Sequence, residues 1–450
     1  MAVGKKQIAL LLALGAAVML ALNLPGQMSF DSVSQLYQGH TGHYDTWHPP
    51  VMAWLLGLFD AVGQGPALFV ALDALLLLGA WGLLLHLAKG ASGQRLAMAL
   101  GVALAMLLTP QFLLYQGTVW KDVLFADAAI AGFAALAAFE ARGGRRWLAG
   151  FVVLLTLAAL TRQNGLLLLP VGAVSLGWIA RRQGRSGFRY GAAMLGLTLL
   201  MMAGASAALA LRGDGNQGAN AQIRRAQAYD LIGALKQAPG LSLPGLDTKD
   251  SRLSSLMRSD GVRLYSPLLN DTLEQSDALM DAISDAPDGL IFAQWANLLL
   301  AHPGVYLAQR WPVFVWVLAS PDVARCHPAF AGVEGDPAQL RALGLTARLR
   351  PQDLFLAGYA KALMGTPVLS HLAFLVLALV LLVGLCRRGD LAMAGMLAGA
   401  LAVTASYFVM SIACDYRYLD FLDLSAMTAA FYWCLRPAQK LRAPTGAFSG

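Results

Sequence analysis

Residues 26–51, GQMSFDSVSQLYQGHTGHYDTWHPPV, hold an unusual concentration of polar side chains directly after an apolar run. That run, Gln7 to Leu24, is about 18 residues long, which as a helix is enough to cross a bilayer. The segment therefore begins at a membrane face. It carries Asp31, Asp45 and His48, although only 13% of the whole chain is charged. The two prolines after His48 fix the backbone, so we expect this imidazole in a defined place.

The composition is that of a polytopic membrane protein. Of 450 residues, 57% are hydrophobic, and the mean hydropathy is +0.57, which excludes a soluble fold. The net charge of +7 comes from Lys and Arg in short clusters between apolar runs, as in cytoplasmic loops, so nucleic-acid binding is not expected. Lys5 and Lys6 place the amino terminus in the cytoplasm, and we interpret the run after them as a retained helix rather than a signal peptide.

The spacing of apolar runs and basic clusters predicts an all-α bundle of roughly ten transmembrane helices, with both termini in the cytoplasm. Residues 212–288 differ in composition, with eleven Asp and Glu against eight Lys and Arg, which is typical of a solvated region. The predicted parts are residues 1–211, a transmembrane module with a periplasmic loop at 26–65; residues 212–367, a helical periplasmic or interfacial domain; residues 368–436, C-terminal transmembrane helices; and residues 437–450, a cytoplasmic tail.

Two apolar stretches do not fit one crossing each. Trp147 to Ala180 is too long for a single helix, so we expect two shortened helices that meet at residues 161–165 on the outer side. Gly289 to Ser320 is interrupted by Pro303, and we expect interfacial or re-entrant helices there. The sequence leaves open whether residues 304–320 cross the membrane.

Two kinds of residue inside or beside the apolar runs allow more than one interpretation. Asp73 lies in a leucine-rich helix, where a charge indicates function, but a protonated carboxyl bonded to a neighbouring helix is an equal alternative. The four cysteines show no zinc or redox spacing. Cys326 and Cys414 fall on the predicted outer side, where a disulfide persists, but we favour small apolar residues with free thiols.

The polar groups that cytoplasmic anchoring does not explain share the predicted outer side. A transporter would instead place them near the membrane midplane, on broken helices related by repeats. Their distribution therefore favours chemistry at the membrane surface. These residues are Asp31, Asp45, His48, Lys121, Asp122, Arg162, Gln163, Arg310, Asp415, Arg417 and Asp420.

The order of these segments resembles the GT-C glycosyltransferases. An acid soon after the first transmembrane helix, followed by His48, two prolines and an apolar helix, is similar to the first extracytoplasmic loop of that family, in which many members have lysine at the histidine position. The family includes protein mannosyltransferases and the aminoarabinose transferases of lipid A. The resemblance extends to the turns at Lys121–Asp122, Thr161–Gly165 and Tyr416–Tyr418, and to the segment from Trp295 to Arg310.

This resemblance implies an inverting transfer of a monosaccharide from a polyprenyl-phosphate donor to an envelope glycoconjugate, which is a lipid, polysaccharide or protein. It implies that Asp31 takes the proton of the acceptor hydroxyl and that Asp122 orients a substrate. Arg162 and Arg417 are expected to bind the departing phosphate. The remaining substrate-binding residues that it implies are His48, Lys121, Gln163, Arg310 and Tyr416. We expect no cofactor: some family members use a divalent metal, but no clear ligand set, Asp-X-Asp triad or phosphate-binding glycine loop is evident.

Two other functions remain open. An O-antigen polymerase or ligase is also polytopic with a large outer loop, and it would require Arg and His within residues 212–367 but not Asp31. A transporter or flippase of a lipid-linked sugar would depend on a buried charge such as Asp73 and would leave its substrate chemically unchanged.

Overall fold

The computed structural model describes residues 3–213 and 217–436, which fold into helices and turns without a β-strand. The tail predicted at residues 437–450 lies outside the described residues. Ten helices precede residue 214: α1 (Lys5–Asn23), α2 (Phe30–Thr41), α3 (Val51–Asp60), α4 (Gly65–Leu87), α5 (Gly93–Leu107), α6 (Pro110–Leu113), α7 (Lys121–Arg142), α8 (Arg145–Thr161), α9 (Leu168–Arg182) and α10 (Gly187–Ala210). Nine follow in the polar region: α11 (Gln217–Gln237), α12 (Pro244–Lys249), α13 (Ser251–Leu256), α14 (Val262–Leu264), α15 (Asp277–Asp285), α16 (Leu290–Ala301), α17 (Pro303–Ala319), α18 (Pro337–Ala342) and α19 (Pro351–Ala362). The last three are α20 (His371–Arg388), α21 (Leu391–Met410) and α22 (Asp420–Leu435).

The long apolar helices are those of a helical polytopic membrane protein, as predicted. Among the described residues, seven helices are long and apolar enough to cross a membrane, namely α1, α4, α7, α9 with its preceding 3-10 turn, α10, α20 and α21. The pair α5 and α6 makes an eighth if it counts as one span, bent by 62°. That bend falls before Pro110, because proline disfavours a helical conformation at the residue that precedes it. Helices α8 and α22 stand where crossings were predicted but have only 17 and 16 residues.

Helix α7 lies at the centre of the bundle. The apolar part of this helix that is long enough to cross a membrane is completely buried, and the helix packs against α4, α8, α21 and α22. The reason is its composition, since alanine and glycine occupy much of the helix and let neighbouring backbones approach closely. The first turn of this helix is therefore held rigidly at one end of the bundle.

The basic clusters meet at the opposite end, which we call the cationic end. Arg95 donates to the carbonyl of Arg436 (2.6 Å), and Arg182 donates to the carbonyl of Gly389 (2.7 Å). Arg436 pairs with Asp390 at 2.8 Å. The charged termini of five helices thus lie on one side of the bundle, as the sequence predicted for its cytoplasmic loops. These helices are α5, α9, α20, α21 and α22.

Residues 217–319 form a helical domain at the other end of the bundle, whereas α18 and α19 pack against α2, α1 and α6 of the bundle itself. Helix α11 packs against α16 and α17 around a separate apolar core that includes Tyr229, Leu231 and Leu235. The chain breaks between α16 and α17 before Pro303, as expected from the sequence. Helix α17 then returns to the bundle, where Phe314 meets Phe408 of α21 with ring centres 5.6 Å apart.

A disulfide joins Cys326, in the loop after α17, to Cys414, in the turn before α22. The expectation of free thiols is therefore wrong for this pair, whose Cα atoms are 5.0 Å apart. Cys386 and Cys434 are free. Cys326 and Cys414 are 88 residues apart in sequence, and the fold brings them together. The spacing of the cysteines alone does not indicate this pairing.

Candidate functional site

The residues predicted to form a site meet around a cavity of about 810 Å³ between the bundle and the helical domain. We call this side of the bundle the cavity end. Seven of the nine predicted site residues line the cavity: Asp31, His48, Lys121, Arg162, Gln163, Arg310 and Arg417. Asp122 and Tyr416 lie behind its wall.

The start of α2 brings Asp31 to the cavity. Ser29 caps this helix together with Ser32, whose hydroxyl accepts a hydrogen bond from the Ser29 amide (3.2 Å). Asp31 is then in the first turn, where the helix dipole favours a carboxylate. The preceding chain is held beside the start of α7, since Gln27 and Thr118 form an isolated β-bridge. Asp31 therefore faces the same space as the first turn of α7.

Glycines determine where the His48 loop runs. A Cβ atom on Gly39 of α2 would lie 2.3 Å from the carbonyl oxygen of Ala53, and one on Gly57 of α3 would lie 2.5 Å from the carbonyl oxygen of Gly39. Both contacts are closer than any side chain permits, so the two helices cross with their backbones touching. This crossing fixes the loop between them, which carries His48.

Arg417 is at the centre of the charged groups. Its Nη2 lies 2.9 Å from Oδ2 of Asp31, and its Nε lies 2.8 Å from Oδ2 of Asp415 and 3.9 Å from Oδ2 of Asp122. Its Cζ is 4.8 Å from the ring centre of Trp120. Burial disfavours the charge, but Asp415 and Asp31 outweigh burial and raise the pKa of Arg417 above its ordinary value. The guanidinium therefore stays charged and is fixed from several sides.

Lys121 and His48 form a second polar contact beside Asp31. Lys121 Nζ is 2.5 Å from His48 Nδ1, and His48 Nε2 is 3.6 Å from Oδ1 of Asp31. When Lys121 is protonated it can only donate, so Nδ1 then accepts and the ring proton sits on Nε2, facing Asp31. In the part of the chain described, Lys121 forms no ion pair with a carboxylate. It is thus the cation most available to an anionic ligand.

Electrostatics keep Asp31 ionised and His48 neutral. Burial alone raises the pKa of Asp31, but the neighbouring His48 and the charge of Arg417 hold this pKa far below its usual range. Burial and the nearby ammonium of Lys121 lower the pKa of His48, against the opposing pull of Asp31. At neutral pH the cavity therefore holds a carboxylate beside an uncharged imidazole.

Asp122 supports this arrangement from behind. Its side chain is almost fully buried and forms an ion pair with Arg162. The Arg162 guanidinium lies over the rings of Tyr418 and Tyr407, with Cζ 5.4 Å and 5.6 Å from their centres. Because Asp122 also faces Arg417, it orients both arginines toward the cavity.

No family model, curated protein or solved structure matches this chain.

The other predicted residues have different surroundings. Gln163 donates to Gln222 of α11 (3.0 Å) at the cavity wall. Arg310 lines the cavity but is buried. It forms an ion pair with Asp230 (2.7 Å) and donates a hydrogen bond to the carbonyl of Ser411. Their contacts join the helical domain to the bundle.

Tyr416 points away from the cavity into the bundle. Its hydroxyl donates to Asp423 (3.0 Å), and its ring stacks on His371 with centres 3.8 Å apart. Gln111 donates to the same carboxylate (3.0 Å). The structure thus gives Tyr416 a place in a buried polar cluster and not at the cavity surface.

Several residues at the cavity were not among the nine predicted site residues. Asp415 could have been predicted from the sequence, because it is two residues from Arg417 in the same polar turn. Trp47 and Trp120 flank predicted residues in sequence. Asp271 and His327 belong to long polar stretches where no motif or periodicity distinguishes them.

A second group of carboxylates is buried within the bundle. Asp73 of α4, Asp127 of α7, and Asp420 and Asp423 of α22 are all completely buried. Gln116 donates to Asp127 (3.0 Å), whereas both carboxyl oxygens of Asp73 and of Asp420 lack a hydrogen-bond partner within the described chain. Asp73 is therefore one of four such acids and not an isolated charge.

The charged groups suit an anionic ligand. Lys121 and Arg417 supply N–H donors beside the ionised Asp31, and the guanidinium fork matches two oxygens of a phosphate. Within residues 3–213 and 217–436, no cluster of three or more His, Cys, Asp or Glu side chains is arranged to hold a metal ion.

Proposed function

We propose that the protein is a glycosyltransferase that moves a monosaccharide from a polyprenyl-phosphate donor to an envelope glycoconjugate. The observation that carries this proposal is the pairing, at one cavity, of Asp31 from the first loop with cations from the start of α7 and the last turn before α22. A carboxylate beside fixed positive charges provides what such a transfer needs, namely a proton acceptor and a group that stabilises the departing phosphate. The resemblance to GT-C enzymes gives the same assignment.

The cavity accommodates both parts of such a donor. Lys121 and Arg417 bind the phosphate oxygens, with Arg162 behind them. Apolar side chains from the outer end of α21 and the following turn line the same cavity, including Met410 and Ile412. An isoprenoid chain leaves the phosphate along these residues toward the bilayer.

The transfer step follows from these positions. The acceptor hydroxyl gives its proton to Asp31 as its oxygen bonds to the anomeric carbon, and the bond from that carbon to the phosphate oxygen breaks. The polyprenyl phosphate leaves with the electron pair, held by Lys121 and Arg417. A phosphate bound to Arg417 also weakens the hold of this arginine on Asp31, so donor binding raises the basicity of the carboxylate.

Two features support a periplasmic location for the cavity. Basic clusters gather at the cationic end, which the positive-inside rule assigns to the cytoplasm. The Cys326–Cys414 disulfide lies at the cavity end, and disulfides persist in oxidising compartments such as the periplasm. In a bacterial inner membrane this arrangement also places the amino terminus in the cytoplasm.

Mass spectrometry of envelope glycolipids and glycoproteins tests the proposal. A deletion strain should lose one sugar mass, wild type should restore it, and Asp31→Asn at equal expression should reduce transfer at least about 100-fold. Asp60→Asn is the matched control, because Asp60 belongs to the same predicted loop as Asp31, residues 26–65, but pairs with His40 outside the cavity. Full restoration by Asp31→Asn would remove the proposed role of the carboxylate.

A transporter of a lipid-linked sugar is the second candidate, and the buried carboxylates of α4, α7 and α22 favour it. This function requires Asp73→Asn to abolish the phenotype while Asp31→Asn retains it, with the substrate crossing the membrane unaltered. The polymerase or ligase alternative requires Arg and His of residues 212–367 instead.

A further inference from the structure

Asp271 and His327 are ionisable side chains at the cavity that have no role in the proposed transfer. Asp271, in the 3-10 turn Asn270–Gln275, and His327, in the loop after α17, both line the cavity with exposed side chains. Within the described chain neither forms a hydrogen bond or an ion pair. The neighbouring Arg225 is already paired with Glu274 at 2.5 Å.

Asp271 lies close to the charged centre. Although its side chain reaches solvent, partial burial in the cavity is the main cause that raises the pKa of Asp271; the charges of Glu274 and Asp31 add to this shift, and Arg225 and His327 oppose it. The carboxylate of Asp271 therefore shares the cavity with Asp31 but has no cation of its own. An acid in this position adds negative charge to the part of the cavity beside Arg225 and His327.

His327 is held in a conformation that its own backbone disfavours. Its φ of 47° lies in the left-handed region, which non-glycine residues rarely occupy. Cys326 on one side is fixed by its disulfide to Cys414, and the carbonyl of Pro328 on the other accepts a hydrogen bond from Tyr115 (2.9 Å). Such strain concentrates where a side chain serves a ligand.

Aromatic rings also line the cavity. Trp47 lies against Arg225, whose Cζ is 5.0 Å from the ring centre, and Phe330 lines the same cavity. Flat apolar rings beside a few polar groups suit the faces and hydroxyls of a sugar. A phosphate or carboxylate ligand would instead meet the unpaired charge of Asp271.

We propose that Asp271 and His327 form an acceptor subsite that binds a neutral, hydroxyl-bearing sugar unit. Asp271 accepts a hydrogen bond from one hydroxyl, and His327 binds a neighbouring one. A sugar held there presents a further hydroxyl to Asp31. This inference rests on the proposed function, because it names the acceptor class for the same transfer.

Binding measured without turnover tests the subsite. Full-length protein in lipid nanodiscs is titrated with the neutral glycan fraction released from envelopes of the deletion strain, and separately with its acidic fraction and with undecaprenyl phosphate. The readout is intrinsic tryptophan fluorescence, since Trp47 and Trp295 line the cavity. The variants are Asp271→Asn and His327→Gly; the glycine releases the backbone strain while it removes the ring, so misfolding is not expected. Asp281→Asn, exposed on α15 away from the cavity, is the control.

We expect each cavity variant to weaken binding of the neutral fraction at least about tenfold and to leave undecaprenyl phosphate affinity unchanged, with Asp281→Asn equal to wild type. Equal affinity of all variants for the neutral fraction would overturn the subsite, as would wild-type binding of the acidic fraction alone. If neutral glycan binding depends on Asp271 while no sugar is transferred, the subsite stands and the proposed transferase fails.

Discussion

Lys121 differs from the other cations at the cavity because its ammonium contacts a neutral imidazole and not a carboxylate. Replacing it by glutamine should weaken binding of undecaprenyl phosphate about 10- to 100-fold, the usual loss when a charged hydrogen bond to a ligand is removed. Fluorescence titration in nanodiscs measures the dissociation constant. Lys361→Gln, on the exposed face of α19, is the control. Unchanged affinity in the Lys121 variant would contradict the role of this lysine in phosphate binding.

The paired pKa shifts at Asp31 and His48 predict how stability depends on pH. The pKa of His48 is lower in the folded protein than its value of 6.5 in the unfolded chain. Just below pH 6.5 the unfolded chain therefore binds a proton at His48 that the folded protein does not bind. As a result, the free energy of unfolding falls as the pH falls through this range. The lowered pKa of Asp31 contributes stability above pH 3.8 that is lost only at more acidic pH.

Thermal unfolding between pH 7.5 and 5 measures this effect. The unfolding midpoint of the wild type should fall more steeply than that of His48→Gln, whose side chain does not titrate. The difference in slope is at most about 1.4 kcal/mol per pH unit, the limit for one proton. Parallel curves for the two proteins would mean that His48 is equally easy to protonate in both states.

At the scale of single residues, the sequence predicted Asp31 and Arg417 because each stands in a polar segment next to a membrane-length apolar run. It placed Asp122 less well, since it treated Lys121 and Asp122 as one outer turn. The structure begins α7 at Lys121, and successive helical residues differ by about 100° in direction. Lys121 therefore faces the cavity while Asp122 faces the interior.

At the scale of elements, the disulfide links the loop that carries His327 to the turn that carries Arg417. Replacing both Cys326 and Cys414 by serine should lower the free energy of unfolding by about 2–4 kcal/mol, because the reduced chain gains conformational freedom. Thermal unfolding of the purified protein with and without reductant measures this. Cys386→Ala, which removes an exposed free thiol on α20, should leave the midpoint unchanged. A midpoint insensitive to reductant would show that the loop is held by its other contacts.

The helices of the bundle were predictable because a bilayer imposes a length and an apolar composition on each of them. The break before Pro303 followed from proline chemistry in the same way. The helical domain is different: its polar helices obey no such constraint, and their packing depends on contacts such as those of Tyr229 that are distant in sequence. Asp271 therefore could not be assigned to the site beforehand.

At the scale of the whole molecule, the two ends of the bundle predict opposite exposure to an impermeant maleimide. In intact spheroplasts, His40→Cys in a Cys386→Ala background should be labelled, since residue 40 is exposed at the cavity end. Cys386 of the wild type, next to the basic end of α20, should react only after permeabilisation. Labelling of Cys386 in intact spheroplasts would place the cationic end outside and the cavity in the cytoplasm.

The ion pair between Asp31 and Arg417 joins residues that are 386 positions apart. During synthesis the acid emerges from the ribosome 386 residues before the arginine that pairs with it. A chain that stops before the turn that carries Arg417 therefore contains the carboxylate but lacks the guanidinium that pairs with it. Translation order thus means that this ion pair forms only after the chain up to the turn that follows α21 has been synthesised.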